Sequence, residues 1–193
     1  NRVAVVNAGI GGNQVVGPAV YPPPKPFPGG PSALSRLERD VLSLSGVKAV
    51  IWLEGTNDFS RNGNDIAITG ANGKTTVTSM VEHLRKAAGK DAGAAGNIAP
   101  AVLDVVLARG ANQPKVWVLE LSSFQLETTA TLNADAATVL NISEDHLDRY
   151  ADINEYAAAK ARIFIGSGMQ ILNRDDVRSM GMVRAGSEVI TFG

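Results

Sequence analysis

The chain is 193 residues long, with 18 Lys and Arg against 19 Asp and Glu, a formal net charge of -1 and 45% hydrophobic residues. That is room for one sizeable α/β domain or two small ones, and the absence of a basic run speaks against nucleic acid as a partner. Without cysteine there is no disulfide framework, thiolate zinc site or cysteine nucleophile. No apolar stretch approaches the roughly 20 residues of a membrane span, and no signal-peptide pattern opens the chain. A reducing, cytoplasmic setting fits, and Asn1 in place of an initiator Met suggests a fragment or a processed chain.

In chain order, Val3 to Asn7 reads as a strand feeding a tight loop at Gly9, Gly11 and Gly12. Tyr21 to Pro31 holds six of the nine prolines and reads as irregular surface loop. Ser32 caps a helix in which Leu34, Leu37, Val41, Leu42 and Leu44 recur at helical spacing, closed by Gly46. Val47 to Leu53 is an apolar strand, and Arg61 to Asp65 a polar linker. The pattern then restarts: strand Ile66 to Thr69, glycine loop Gly70 to Lys74, helix Thr75 to Ala88 ended by Gly89. A Gly/Ala-rich stretch leads to a helix from Pro100 to Arg109. Strands follow at Val116 to Leu121 and Ala136 to Ile142, a helix at Ile153 to Ile165 with Tyr156 and Ala159 inward, and strands at Met169 to Asn173 and Val189 to Phe192. Alternating strands and helices give an α/β class: three layers, α/β/α, around a mostly parallel sheet.

The strongest signal is Ile66-Ala-Ile-Thr-Gly-Ala-Asn-Gly-Lys-Thr-Thr76. A strand runs into a Gly-rich turn that opens directly into a helix, so backbone N–H groups can surround phosphate oxygens. In such a loop Gly70, Asn72, Gly73, Lys74, Thr75 and Thr76 bind the nucleotide, with Lys74 offering a point charge to β/γ-phosphates and the Thr75 hydroxyl ligating Mg²⁺. The general pattern places a glycine where Ile68 stands, so this is a shorter variant, T-G-x-N-G-K-T. Glu120 falls at the carboxyl end of a buried strand, where open α/β sheets present ligand groups. With Thr75 it forms a hard-oxygen pair suited to Mg²⁺, an ion that takes few protein ligands. A lone His146 is more often a structural hydrogen-bonding residue, and Lys160 on a helix a solvated charge.

The shortened loop, Gly96-Asn-Ile98, Leu119-Glu-Leu-Ser-Ser-Phe-Gln-Leu-Glu127, Asn141-Ile-Ser-Glu-Asp-His-Leu-Asp-Arg-Tyr150 and Ala158-Ala-Lys-Ala-Arg-Ile163 resemble, in order, the motifs of the Mur ligases, and most closely their D-glutamate-adding branch. The resemblance covers about the last two-thirds of the chain. It implies a P-loop-containing central domain over 65–193 and an ATP-dependent amide ligase of peptidoglycan precursor synthesis. Such an enzyme joins D-glutamate to a UDP-sugar peptide through an acyl phosphate, as a monomer. It further implies that Asn97, a nucleotide-binding residue, lines the substrate and phosphate side with Ser122 and Ser123, that His146 is a ligand or orienting group for a second Mg²⁺, and that Lys160 is a carbamylated lysine supporting that metal. Lys74, His146 and Lys160 would then be the catalytic set, and Thr75, Glu120, His146 and Lys160 the metal set. The family's UDP-binding and C-terminal domains find no counterpart here, so the expectation is nucleotide binding without ligase turnover.

Residues 1–64 read as a separate fragment. Gly9-Ile-Gly-Gly-Asn13 fails the dinucleotide pattern at Gln14. Asn7 to Asn13 and Leu53-Glu-Gly-Thr-Asn-Asp58 instead resemble two blocks of SGNH/GDSL-type esterases, a flavodoxin-like βαβ piece in which Gly12 and Asn57 would form an oxyanion hole. The block carrying that family's nucleophile is absent, and neither His83 nor His146 has an Asp three residues before it. Two alternatives therefore stand beside the ligase reading: an inactive esterase fragment, and a fold-only chimera of designed or recombinant origin.

Overall fold

The computed structural model describes residues 36–44, 65–145 and 148–193. Gly12 and Asn57, expected from the esterase resemblance to form an oxyanion hole, the strands expected over 3–7 and 47–53, and His146 lie outside the described residues. Of the first expected helix, Arg36 and Leu37 are helical and lead into a π-helix at Glu38–Leu42 rather than a regular α-helix.

From residue 65 onward strands and helices alternate. The strands are β1 (Ile66–Thr69), β2 (Ala92–Gly96), β3 (Val116–Glu120), β4 (Ala136–Val139), β5 (Met169–Asn173) and β6 (Val189–Phe192). Between them run α1 (Lys74–Ala87), α2 (Val102–Arg109), α3 (Ser123–Thr128), α4 (Ile153–Ala161) and α5 (Val177–Met180). All six strands are parallel, in the order β2-β3-β1-β4-β5-β6. The chain leaves β1 toward one side of the sheet and later crosses to the other, which makes β1 the topological switch point.

Side chains alternate across the strands and build a core on each face. On one face Ile68, Val116, Val118 and Leu140 meet Val77 and Val81 of α1. On the other, Trp117, Leu119 and Leu172 pack with Leu126, Tyr156 and Ile163, beside Val102, Val105 and Val106 of α2. This is the three-layer arrangement the alternation of elements predicts.

The differences from expectation are local. The Gly/Ala-rich stretch forms β2, although alanine and glycine are depleted in strands. What places it is tertiary: full pairing with β3, and the Glu82 carboxylate of α1 accepting from Ala94 N at 3.0 Å. Small residues suit this edge, since a Cβ at Gly93 would lie 2.8 Å from Pro114. At Gly96 φ is +116° and a Cβ would fall 2.2 Å from the Glu120 carbonyl oxygen, so only glycine lets β2 close on β3 there. The strand expected to reach Ile142 stops at Val139, and the helix expected to reach Ile165 gives way to a 3₁₀ turn at Arg162–Phe164.

At the opposite end of the sheet from the phosphate loop, Asp65 is 1% exposed. Its backbone N–H donates to Asp135 Oδ2 at 2.7 Å, its Oδ1 accepts from Trp117 N at 3.4 Å, and its Oδ2 has no hydrogen-bond partner among the described residues. Burial first, and the Asp135 charge as well, push its pKa up from 3.8 to about 6. A carboxyl with a raised folded-state pKa takes up its proton more readily when folded, so the chain gains stability as pH falls from 7.5 toward 5. Asp65→Asn is expected to stabilise the chain at pH 7.5, and that advantage is expected to shrink by about 1 kcal/mol at pH 5. Urea unfolding of both proteins at the two pH values measures it. An advantage independent of pH would show that Asp65 does not titrate in this range.

Candidate functional site

The site lies at the carboxyl end of β1. Thr69 closes the strand, residues 70–73 turn, and Gly73 at φ +78° is the N-cap of α1. The left-handed conformation there explains why glycine precedes Lys74. Val77 N donates to Gly73 O at 3.0 Å, the first bond of the helix. The amides of residues 73–76 therefore lie outside the intrahelical ladder and carry the positive end of the helix dipole.

The Lys74 ammonium is folded back over its own loop, donating to Gly70 O and Ala71 O at 2.9 Å each. Thr75 Oγ1 donates to Glu120 Oε2 at 2.9 Å, and Asn97 Nδ2 donates to Glu120 Oε1 at 2.8 Å. The Glu120 carboxylate is buried at the end of β3, 1% exposed. One acidic side chain thus joins the start of α1 to the exit of β2. Thr76 sits exposed on the first turn of α1.

Lys160 is also buried, 1% exposed. Its Nζ donates to Gly70 O at 3.0 Å and Thr69 Oγ1 at 3.3 Å and lies 4.6 Å from the centre of the Tyr156 ring. Two lysine amines thus share the Gly70 carbonyl. Burial first, and then the Lys74 charge, lower the Lys160 pKa to about 7, against an opposing pull from Asp145. The sequence alone reads Lys160 as a solvated charge; the end of α4 is instead packed beneath the phosphate loop. A cavity of about 220 Å³ is lined by Lys74, Asn97, Ser122, Ser123, Phe124, Tyr156 and Lys160. Ser122 also caps α3 in a capping box with Gln125.

The structure therefore brings Gly70, Asn72, Gly73, Lys74, Thr75, Asn97, Glu120 and Lys160 to one end of the sheet, while His146 lies outside the described residues. Sequence reasoning assigned no role to Asn141, which follows β4 and bonds to the phosphate loop, or to Tyr156 beyond an inward-facing position. The rule that strand ends carry ligand groups, applied to β4 as it was to β3, finds Asn141.

For a divalent cation, the described residues offer no group of three or more His, Asp or Glu side chains. They do offer a hydroxyl and a carboxylate 2.9 Å apart at the mouth of a phosphate loop. That hard-oxygen pair fits Mg²⁺, which keeps waters and phosphate oxygens as its other ligands.

Residues 68–193 match the family model described as the Mur ligase middle domain. Among curated proteins, the chain is 64% identical over 129 residues to a UDP-N-acetylmuramoylalanine--D-glutamate ligase of Chromobacterium violaceum, covering 66% of this chain and 28% of that protein. It is 54% identical over 146 residues to the enzyme of that name from Dechloromonas aromatica, covering 74% of this chain and 32% of that one. Among solved structures it is similar to a UDP-N-acetylmuramoyl-L-alanyl-D-glutamate--2,6-diaminopimelate ligase (TM-score 0.57, 24% identity, 68% of this chain and 32% of that one). It is also similar to MurF from Acinetobacter baumannii (TM-score 0.54, 19% identity, 70% and 32%); both likenesses speak to the fold. The chain spans about three-tenths of the length of these curated relatives, and the family model falls on residues 68–193, lending no support to the esterase resemblance of residues 1–60. With the family model covering well over half of the chain, and a parallel sheet carrying a phosphate loop beneath it, the chain belongs to the Mur ligase family through its middle domain.

Proposed function

We propose that this chain is the nucleotide-binding core of an ATP-dependent amide ligase that adds D-glutamate to UDP-N-acetylmuramoyl-L-alanine through an acyl phosphate. The observation that carries the reading is the buried Glu120 carboxylate 2.9 Å from the Thr75 hydroxyl, beside a loop headed by Lys74. High identity to ligases of that name supports the substrate assignment.

In the proposed chemistry, the substrate carboxylate attacks the γ-phosphorus of ATP, the bond to the β-γ bridging oxygen breaks, and ADP leaves. The amine of D-glutamate then attacks the acyl carbon, the carbon–oxygen bond to phosphate breaks, and a proton is released. The protein supplies alignment and charge. The free amides of residues 73–76 receive phosphate oxygens at the positive end of α1. Lys74 exchanges its two loop carbonyls for the β/γ-phosphates. Thr75 and Glu120 would hold Mg²⁺, which would neutralise phosphate charge when bound. Asn97, Ser122 and Ser123 line the cavity where the reacting groups would meet, and His146 is proposed as a ligand or orienting group for a second Mg²⁺.

Carbamylation of Lys160 is part of this proposal. A buried amine with a pKa near 7 is largely neutral just above neutrality, and the neutral form attacks CO₂, forming a nitrogen–carbon bond and releasing a proton. The product carries a negative charge beside Lys74, so the repulsion between the two amines becomes an attraction. We place the division of the chain at 64/65, and the working form as a monomer in the cytoplasm. In the described residues no helix is long and apolar enough to cross a membrane.

Two measurements test this. Mg-ATP at 100 times Kd is expected to add about 2.7 kcal/mol of stability, a rise of roughly 5–10 °C in Tm for a chain of this size, and Lys74→Ala is expected to abolish it. A melt indifferent to Mg-ATP would remove the nucleotide reading. Incubation with ¹³C-bicarbonate is expected to give a carbamate carbon signal that is stronger at pH 8 than at pH 6 and absent in Lys160→Arg. A signal that persists in Lys160→Arg would assign the modification elsewhere.

A further inference from the structure

The phosphate loop is short, with three residues between Gly70 and Lys74, and its first two amides are already engaged. Ala71 N donates to the Asn141 backbone carbonyl at 2.9 Å, and Asn72 N donates to the Asn141 side-chain oxygen at 2.8 Å. The Asn141 side-chain amide returns a bond to Asn72 O at 3.1 Å, and Asn72 Nδ2 donates to Ser143 Oγ at 3.2 Å. One primary amide thus closes a two-way clasp on the backbone of a single loop residue.

The segment bearing the clasp is itself held from behind. Ile142 N donates to Asp176 Oδ2 at 2.6 Å, Asn173 Nδ2 donates to Leu140 O at 2.9 Å, and Ser179 Oγ donates to Val139 O at 3.0 Å. Asp176 is fixed in turn, because its other oxygen caps α5 by accepting from Arg178 N and Ser179 N at 2.9 Å each. The loop also sits tight against this segment: a Cβ at Gly70 would lie 3.0 Å from Leu140 Cβ. Asn141 is therefore presented to the loop by a braced strand end.

We propose that Asn141 is a positioning residue for nucleotide binding, one that fixes the phosphate loop through Asn72 and leaves the amides of residues 73–76 as the anion-binding set. The proposal rests on the nucleotide reading above. Lys74 and Lys160 hold the carbonyls of Gly70 and Ala71, while the amides of Ala71 and Asn72 are held by Asn141. A loop ordered before the ligand arrives spares the ligand the entropy of ordering it. The two amides spent on Asn141 also limit how the phosphates sit: over the start of α1 rather than wrapped by the whole turn.

The test compares the whole chain with Asn141→Ala, with Asn141→Ser as a milder variant should alanine prevent folding. Leu132→Val serves as a control that loosens the core at the far end of β4. Residue-resolved hydrogen exchange is expected to speed up about tenfold or more at the Ala71 and Asn72 amides of the Asn141 variants while β1 stays protected. Calorimetric titration with Mg-ATP is expected to show affinity about tenfold weaker in the same variants, and the Leu132 control is expected to change neither. Unaltered exchange at Ala71 and Asn72, or a loosened loop that binds Mg-ATP as tightly as before, would overturn the proposal. A parent chain that takes up no Mg-ATP would overturn the nucleotide reading and the binding half of this proposal together, while exchange would still decide whether Asn141 orders the loop.

Discussion

A buried carboxylate organises this end of the molecule. Glu120 lies at the end of a fully buried strand, and each of its oxygens accepts one bond from a different element: Thr75 at the start of α1 and Asn97 at the exit of β2. Withdrawing a carboxylate from water is costly unless hydrogen bonds or charge replace what water supplied. Both donors here are neutral, so they satisfy geometry more fully than charge. In the proposed function a cation arriving with a phosphate chain would complete the balance, which would give a physical sense to an acid placed where three strands of a parallel sheet end. The close approach required at Gly96, where any Cβ would strike the Glu120 carbonyl, shows how tightly the backbone is drawn up to hold Asn97 in reach.

The opposite charge is arranged with equal economy. Lys74 comes from the loop and Lys160 from α4, and both donate to the carbonyl of Gly70. Burial first, and then the Lys74 charge, hold the Lys160 pKa near 7, so close to neutrality the second amine gives up its charge readily and Lys74 remains the standing cation. Beside that ammonium, the amides and dipole at the start of α1 favour an anion.

Much of this was legible in the sequence because local rules and tertiary outcome agree. The strand–turn–helix from Ile66 is written in a β-branched run, two glycines and a helix start. The periodicities place β3, β4, β5 and β6 within a residue or a few of their observed bounds. Glu120 follows from its place at a strand end. The exceptions share one cause. The residues of β2 have no strand propensity, and their conformation comes from β3 and Glu82. Lys160 looks like a surface lysine on its own helix and is buried only because α4 docks under the phosphate loop. Asn141 carries no motif of its own outside the family pattern, and its bond to Asn72 spans 69 residues. Long-range contacts of this kind leave no periodic trace in the chain.

The claim that Glu120 prepares the site for a metal-bound phosphate chain is tested most directly by titrating ATP with Mg²⁺ and with EDTA, into the parent chain and into Glu120→Gln. Glutamine keeps the shape and can still bond to Thr75 and Asn97, but carries no charge. The account predicts that removing Mg²⁺ weakens binding to the parent about tenfold or more and makes little difference to Glu120→Gln. An equal dependence on Mg²⁺ in both proteins would contradict it.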